Sequence, residues 1–210
     1  MAALTHRDFD ILETLTRRVR LLAIEQIRRV WWPTHTNCRI ARRRMRQLAA
    51  AGLVCRTIVN AHPLLPVKQP LGIWRADDEE PDAHRISREA RDRWRQTSEP
   101  VEVFTATRRT ANLFGSTAGR LPAMLHRDHD LLLSQVFATY RTLRPEEARR
   151  WLGEDALPKA GYRIKDPDAF LVDGSGRPSR VIESAGRYAP AQIASFHAYC
   201  VEYDLAYELW

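Results

Sequence analysis

Within its first 52 residues the chain carries three short stretches of helical periodicity, the second and third closed by their own stops, before turning to strand-like alternation. Behind a Thr5 N-cap, Phe9, Leu12 and Leu15, with Ile11 beside them, predict a helix from about His6 to Arg18. Ile24, Ile27, Val30 and Trp31 predict a second helix that must end before Pro33, because the residue before proline is pushed out of the helical region. The third stretch, THTNCRIARRRMRQLAAAG, places Ile40, Met45 and Leu48 inward and Arg39, Arg42, Arg43 and Arg46 outward, with Gly52 as its C-terminal stop. LVCRTIVNA then alternates with β-branched residues, and after HPLLPVKQP a shorter run, LGIWRA, predicts a second strand. Two strands around a Pro-rich tip holding Lys68 would form a wing.

Charge falls on the same segment. Residues 1–60 carry 12 basic and 4 acidic side chains, a net of +8, against +1 for residues 61–120 and −2 for residues 121–210. Of the 33 basic residues 30 are Arg, a bias that a GC-rich genome alone would produce, so position carries the argument rather than count. A third helix with an arginine stripe, entered through a Thr/Asn-rich turn, is the arrangement that lays a recognition helix in the major groove. Thr34, Thr36, Asn37, Arg39, Arg42, Arg43 and Arg46 are the expected base or phosphate contacts of that helix, and Arg56 and Lys68 those of the wing.

Other classes are disfavoured by the residues. The longest apolar run, Leu48 to Cys55, has eight residues, far short of the roughly 20 that span a bilayer. The N-terminus, MAALTHRDFD, has no apolar core of a secretion signal, so a cytoplasmic protein without membrane contact is expected. Cys38, Cys55 and Cys200 are odd in number and far apart, which predicts neither a disulfide framework nor structural zinc. No G-x-x-x-x-G-K loop points to ATP, and Ser184 and Ser195 have no positioned base. The six tryptophans are scattered and read as core.

The middle of the chain is less informative. Residues 86–96 predict a short helix that packs Trp94, and VEVFTATRRTANLFG a strand with a turn near Thr107–Thr110. Further on, residues 126–143 predict a helix whose polar entrance holds His126, Asp128, His129 and Asp130; its aspartates suit the helix dipole without any ligand role, and the alternative is that the cluster adds a metal ligand to Asp168 and Glu183. A short Pro-initiated helix over 145–152 follows, then a hairpin, DAFLV and RVIES around DGSGRP, with Asp168 and Glu183 on neighbouring strands. A helix over 190–203 and a strand near Leu205 to Trp210 complete an α/β module. Two such carboxylates can hold a divalent ion that activates water for phosphodiester cleavage.

The order helix, Pro-Asp strand, turn, acidic strand, helix over residues 126–210 resembles the PD-(D/E)XK nuclease-like superfamily. In that pattern Asp168 would be the metal-binding Asp and Glu183 the second carboxylate; the Lys normally found two residues after it is Ala185, with Lys165 the nearest substitute. Taken whole, LTHRDFDILETL, RRMRQLAAAGLV and PDAFLVDGSGRPSRVIESAGRY resemble the replication-relaxation family of bacterial mobile elements and plasmids, with residues 77–125 outside the likeness. The resemblance implies an α+β chain: a winged helix-turn-helix over 1–98, a linking β segment over 99–125, and a small nuclease-like α/β domain over 126–210 that lacks a complete catalytic set. The expected function is a duplex-DNA-binding regulator or replication/transfer factor of a mobile element. It would need no cofactor and would act as a homodimer, with the C-terminal domain serving dimerisation or contact with another protein of the element. The rival is a Mg²⁺-dependent DNA endonuclease using Asp168 and Glu183. A third reading is a protein-interaction module that has lost DNA binding.

Overall fold

The computed structural model describes residues 3–64, 67–156 and 167–210. Among these residues the fold is α+β, with eight α-helices and two β-sheets. Helix α1 (His6–Glu13) starts at a capping box: Thr5 Oγ1 accepts from the Asp8 amide at 3.3 Å while Asp8 Oδ2 accepts from the Thr5 amide at 2.6 Å. It runs on into a π-helical turn, Thr14–Arg18, in which Thr16 Oγ1 donates back to the Leu12 carbonyl at 2.9 Å. Strand β1 (Leu22–Ala23) leads into α2 (Ile24–Trp31), which stops before Pro33. Helix α3 (Arg39–Ala50) ends as Gly52 predicts. Gly52 sits at φ +71°, its amide donates to Ala49, and the Leu53 amide donates to Leu48, so the last carbonyls of the helix are satisfied.

The buried stripe of α3 is Ala41, Met45 and Leu48, which corrects the expectation for Ile40. Ile40 precedes Met45 by five residues, about 140° round the helix, so it falls off the seam and is 36% exposed. Ala41 precedes Met45 by four and takes its place.

The expected wing is also corrected. Strand β2 (Val54–Ala61) pairs antiparallel along its whole length with β4 (Glu99–Ala106), from Val54 opposite Ala106 to Ala61 opposite Glu99, and β1 pairs on the other side of β4. The LGIWRA strand, β3 (Gly72–Trp74), belongs instead to the second sheet, paired with β8 (Tyr207–Leu209). Length explains the choice: β4 offers eight residues to β2 where β3 has three, and Trp74 gains more by stacking on Tyr207, ring centroids 5.8 Å apart. Lys68 is therefore not at the tip of the ribbon. The neighbouring Val67 carbonyl accepts from Thr139 at 2.6 Å, which sets this stretch against α6 (Arg127–Leu143).

The segment between β3 and β4 forms α4 (Ala83–Asp92), and α5 (Arg108–Leu113) follows β4. After α6 come α7 (Pro145–Arg149), β5 (Trp151–Gly153), β6 (Ala169–Val172) and β7 (Pro178–Glu183). Strands β5, β6 and β7 make an antiparallel meander, and α8 (Pro190–Glu202) carries the chain across to β8, which lies parallel to β7. The sheet order is β3-β8-β7-β6-β5. Strict alternation divides its faces: Ala169, Leu171 and Ile182 pack with Val136, Phe137 and Tyr140 of α6, while Phe170 and Val181 pack with Ile86 of α4 and with Ile193 and Phe196 of α8. The core under α6 continues without a break into the three N-terminal helices.

That continuity depends on one glycine. A Cβ on Gly153 would lie 2.2 Å from the Arg18 carbonyl oxygen, so β5 meets the π-helical turn backbone to backbone. Trp151 Nε1 donates to the same carbonyl at 3.0 Å, and the Arg18 guanidinium donates to the carbonyls of Trp151 and Arg149. Among the described residues no helix is long and apolar enough to cross a membrane.

Candidate functional site

Two surfaces hold the residues singled out by the sequence. The first is the outer side of α3. Arg39, Arg43 and Arg46 are exposed along it and, among the described residues, have no ion-pair partner; with Arg42, Gln47 and Ala50 they line one open face. The helix contains five arginines and no acidic residue. Arg44 alone among these five turns inward, its Nε donating to Asp8 Oδ1 at 2.8 Å and its Nη2 pairing with Asp8 Oδ2. Asp8 is fully buried. Burial raises its pKa, but the hydrogen bonds from Arg44 and Thr5 and the Arg44 charge outweigh this and hold it at about 2. The ion pair locks α3 onto α1, so the direction of the exposed arginines is set by packing rather than by a loop.

At the entrance to α3, Thr34 and Thr36 are exposed and Asn37 Oδ1 accepts from the Arg39 amide at 3.0 Å, an Asx turn that starts the helix. Cys38 is buried there and donates to Glu25 Oε1 at 2.9 Å; burial, then that carboxylate, push its thiol up to about 11. Arg42 and Arg56 converge on Glu102 of β4: Arg42 Nε donates to Oε2 at 2.6 Å and Arg56 Nε to Oε1. Burial raises the Glu102 pKa, the two guanidiniums lower it more, and the net direction is down. Of the expected contacts, α3, its entrance turn and Arg56 thus share one side, and Lys68 lies elsewhere, beside α6.

The second surface is a cleft where the π-helical turn meets the end of the second sheet, lined among others by Arg17, Arg20, His129, Asp130, Glu154, Asp155 and Asp168. The hairpin brings Asp168 and Glu183 together. The Asp168 amide donates to Glu183 Oε2 at 3.3 Å, and Asp168 Oδ2 accepts from the Ser184 amide at 2.7 Å. Glu183 is fully buried and accepts from the Tyr188 hydroxyl; Asp168 is 7% exposed. His129 and Asp130, read from sequence as a polar helix entrance, belong to this cluster. His129 Nε2 lies 3.0 Å from Asp168 Oδ2 and its Nδ1 3.2 Å from Asp130 Oδ1. Burial lowers the imidazole pKa, but the Asp168 charge and the hydrogen bonds to both carboxylates raise it to about 10, so His129 is a cation at neutral pH. Arg20 pairs with Glu154 and Asp155 at 3.0 and 2.9 Å and closes the far side.

The donor set suits a divalent ion poorly. Asp168 Oδ2 already accepts from the Ser184 amide and lies 3.0 Å from His129 Nε2, and both Glu183 oxygens already accept, from the Tyr188 hydroxyl and the Asp168 amide. The Lys expected two residues past Glu183 is Ala185, fully buried with its amide bonded to the Trp210 carbonyl. Lys165 lies outside the described residues. One observation points the other way: Asp130 Oδ2 is buried and, among the described residues, has no hydrogen-bond partner. Among the described residues no three His, Cys, Asp or Glu side chains converge as a metal site.

Sequence reasoning missed Arg44, Glu102 and the His129–Asp168 pair, because each is defined by a partner distant in the chain. Comparisons with family models, with curated proteins and with solved structures returned no match.

Proposed function

We propose that this protein binds duplex DNA through α3, with Arg39, Arg43 and Arg46 on base edges or phosphates and the β2–β4 ribbon beside them as the wing. The observation that carries this reading is the sorting of charge along one helix. Three arginines without an ion-pair partner among the described residues face solvent on a helix without a carboxylate, while Arg44 is held by a buried carboxylate of α1. In this reading the chain is a regulator or replication/transfer factor akin to the replication-relaxation family. Its second sheet would then serve self-association or contact with a partner protein. The experiment is duplex binding across a salt series by wild type and the Arg43→Ala/Arg46→Ala variant. The double variant is expected to flatten the slope of log affinity against log salt by about one to two. An unchanged slope would remove α3 from the interface.

A second reading, a Mg²⁺-dependent endonuclease, is favoured by the meeting of Asp168 and Glu183 and by the unpartnered Asp130 oxygen. The donor set does not fit that ion well, since both Glu183 oxygens already accept, from the Tyr188 hydroxyl and the Asp168 amide, and His129 lies against Asp168. Metal-dependent cleavage that vanishes in Asp168→Ala is the result that would establish it.

A further inference from the structure

The position of Glu102 is not that of an ordinary surface ion pair. It is 11% exposed by side chain, stands on the central strand of the first sheet, and bridges an arginine of α3 and an arginine of β2. Strand register explains the meeting. Glu102 lies directly opposite Ile58 and Arg56 directly opposite Phe104, so all four side chains share the face whose inner end, Phe104 with Val54 and Ala106, packs under the three helices. Where that face emerges from the core beside α3, its first polar groups are Glu102 and Arg56, and Arg42 reaches down from the helix. A carboxylate inside a surface meant for a polyanion weakens phosphate attraction, so its presence calls for a reason.

Both guanidiniums are held by Nε. Among the described residues the Nη groups of Arg42 and Arg56 take no acceptor, and the two arginines are 37% and 39% exposed. A guanidinium pinned at Nε has lost most of its rotamer freedom while keeping the paired Nη–H donors that match guanine O6 and N7 in the major groove. Resting on the DNA-binding reading above, we infer that Glu102 is a positioning residue for base recognition: it holds Arg42 and Arg56 with their Nη ends aimed outward to read guanine, and lowers non-specific phosphate affinity while raising discrimination. The loss of phosphate affinity follows from charge, since the trio carries a net +1 with the carboxylate and +2 without it.

The test is selection from a randomised duplex library with wild type, Glu102→Ala and the near-isosteric Glu102→Gln, followed by affinities for the enriched and unselected pools. Both variants should hold the unselected pool about threefold to tenfold more tightly, with a salt slope steeper by about 0.9. They should also lose the guanine preference at one or more positions, reducing the enriched-to-unselected ratio about fivefold or more. A structural role alone would lower both affinities together. A ratio unchanged in both variants, a uniform shift across all sequences, or a wild type that enriches no guanine would each overturn the inference. The Arg43→Ala/Arg46→Ala variant runs beside them. If it leaves binding intact, the DNA-binding reading itself fails; if it weakens binding while the Glu102 variants keep the wild-type ratio, only the role of Glu102 fails.

Discussion

Replacing Asp8 by Asn keeps the shape of the side chain that fixes α3 and removes its charge, and the structure sets both the size and the pH window of the effect. Asp8 is held at about 2, against an ordinary value of 3.8, by Arg44 and Thr5 acting against the cost of burial. At about 1.36 kcal/mol per pKa unit, the difference corresponds to about 2.5 kcal/mol of folding stability at neutral pH. Because the folded pKa is depressed, this contribution is complete above the unfolded value, falls to about half at about pH 3, and is gone below about pH 2. Urea unfolding of wild type and Asp8→Asn across a series from neutral pH down to about pH 3 reads it directly. The gap between the two midpoints should be constant from about pH 7 to 5 and narrow below about pH 4. A gap of the same size at both ends of the series, or none at neutral pH, would refute the claim that a charged Asp8–Arg44 pair anchors the helix. The Asp8→Asn variant should also shift duplex affinity, since the direction of Arg43 and Arg46 depends on that anchor.

Gly153→Ala should destabilise by about 3 kcal/mol, from overpacking against the Arg18 carbonyl together with the loss of its bond from Trp151, whereas Gly174→Ala, with no atom within 4 Å of the added carbon, should melt with wild type. Thermal denaturation of the pair checks this, and equal melting temperatures would contradict the close approach of β5 to the π-helical turn. His129→Gln should be less stable than wild type at about pH 6 and below, with the gap closing as pH rises from 6.5 through about 10, because a raised pKa lends stability only while the imidazole is charged. A gap that widens with pH would mean that His129 is not the cation holding Asp168.

The three N-terminal helices are legible because each has a helical period and at least one local boundary signal: Thr5 closes the capping box of α1, Pro33 follows α2, and Gly52 adopts the left-handed turn that ends α3. The hairpin carrying Asp168 and Glu183 is legible for the same reason, its turn DGSGRP lying between two apolar runs. Strand pairing between distant segments is not. LGIWRA has the composition of a partner for LVCRTIVNA, and nothing local tells that β2 skips it for β4 while β3 crosses to β8. The choice is made by length of register and by the Trp74–Tyr207 stack, both of them tertiary. Ile40 misleads because a run dense in arginine leaves few apolar residues to fix the phase of the helix, and a one-residue shift to Ala41 satisfies the core equally well in pattern. His129 looks like part of any polar helix entrance; only its contact with Asp168, 39 residues on, gives it a role.

The most direct test of the central claim is incubation of the purified protein with labelled genomic fragments in Mg²⁺, in Mn²⁺ and in EDTA, with retention and cleavage read from the same reactions. The account predicts retention of a subset of fragments in all three, weakened by salt and by Arg43→Ala/Arg46→Ala, and without cutting. Retention unchanged by that double substitution, or metal-dependent cutting abolished by Asp168→Ala, would contradict it.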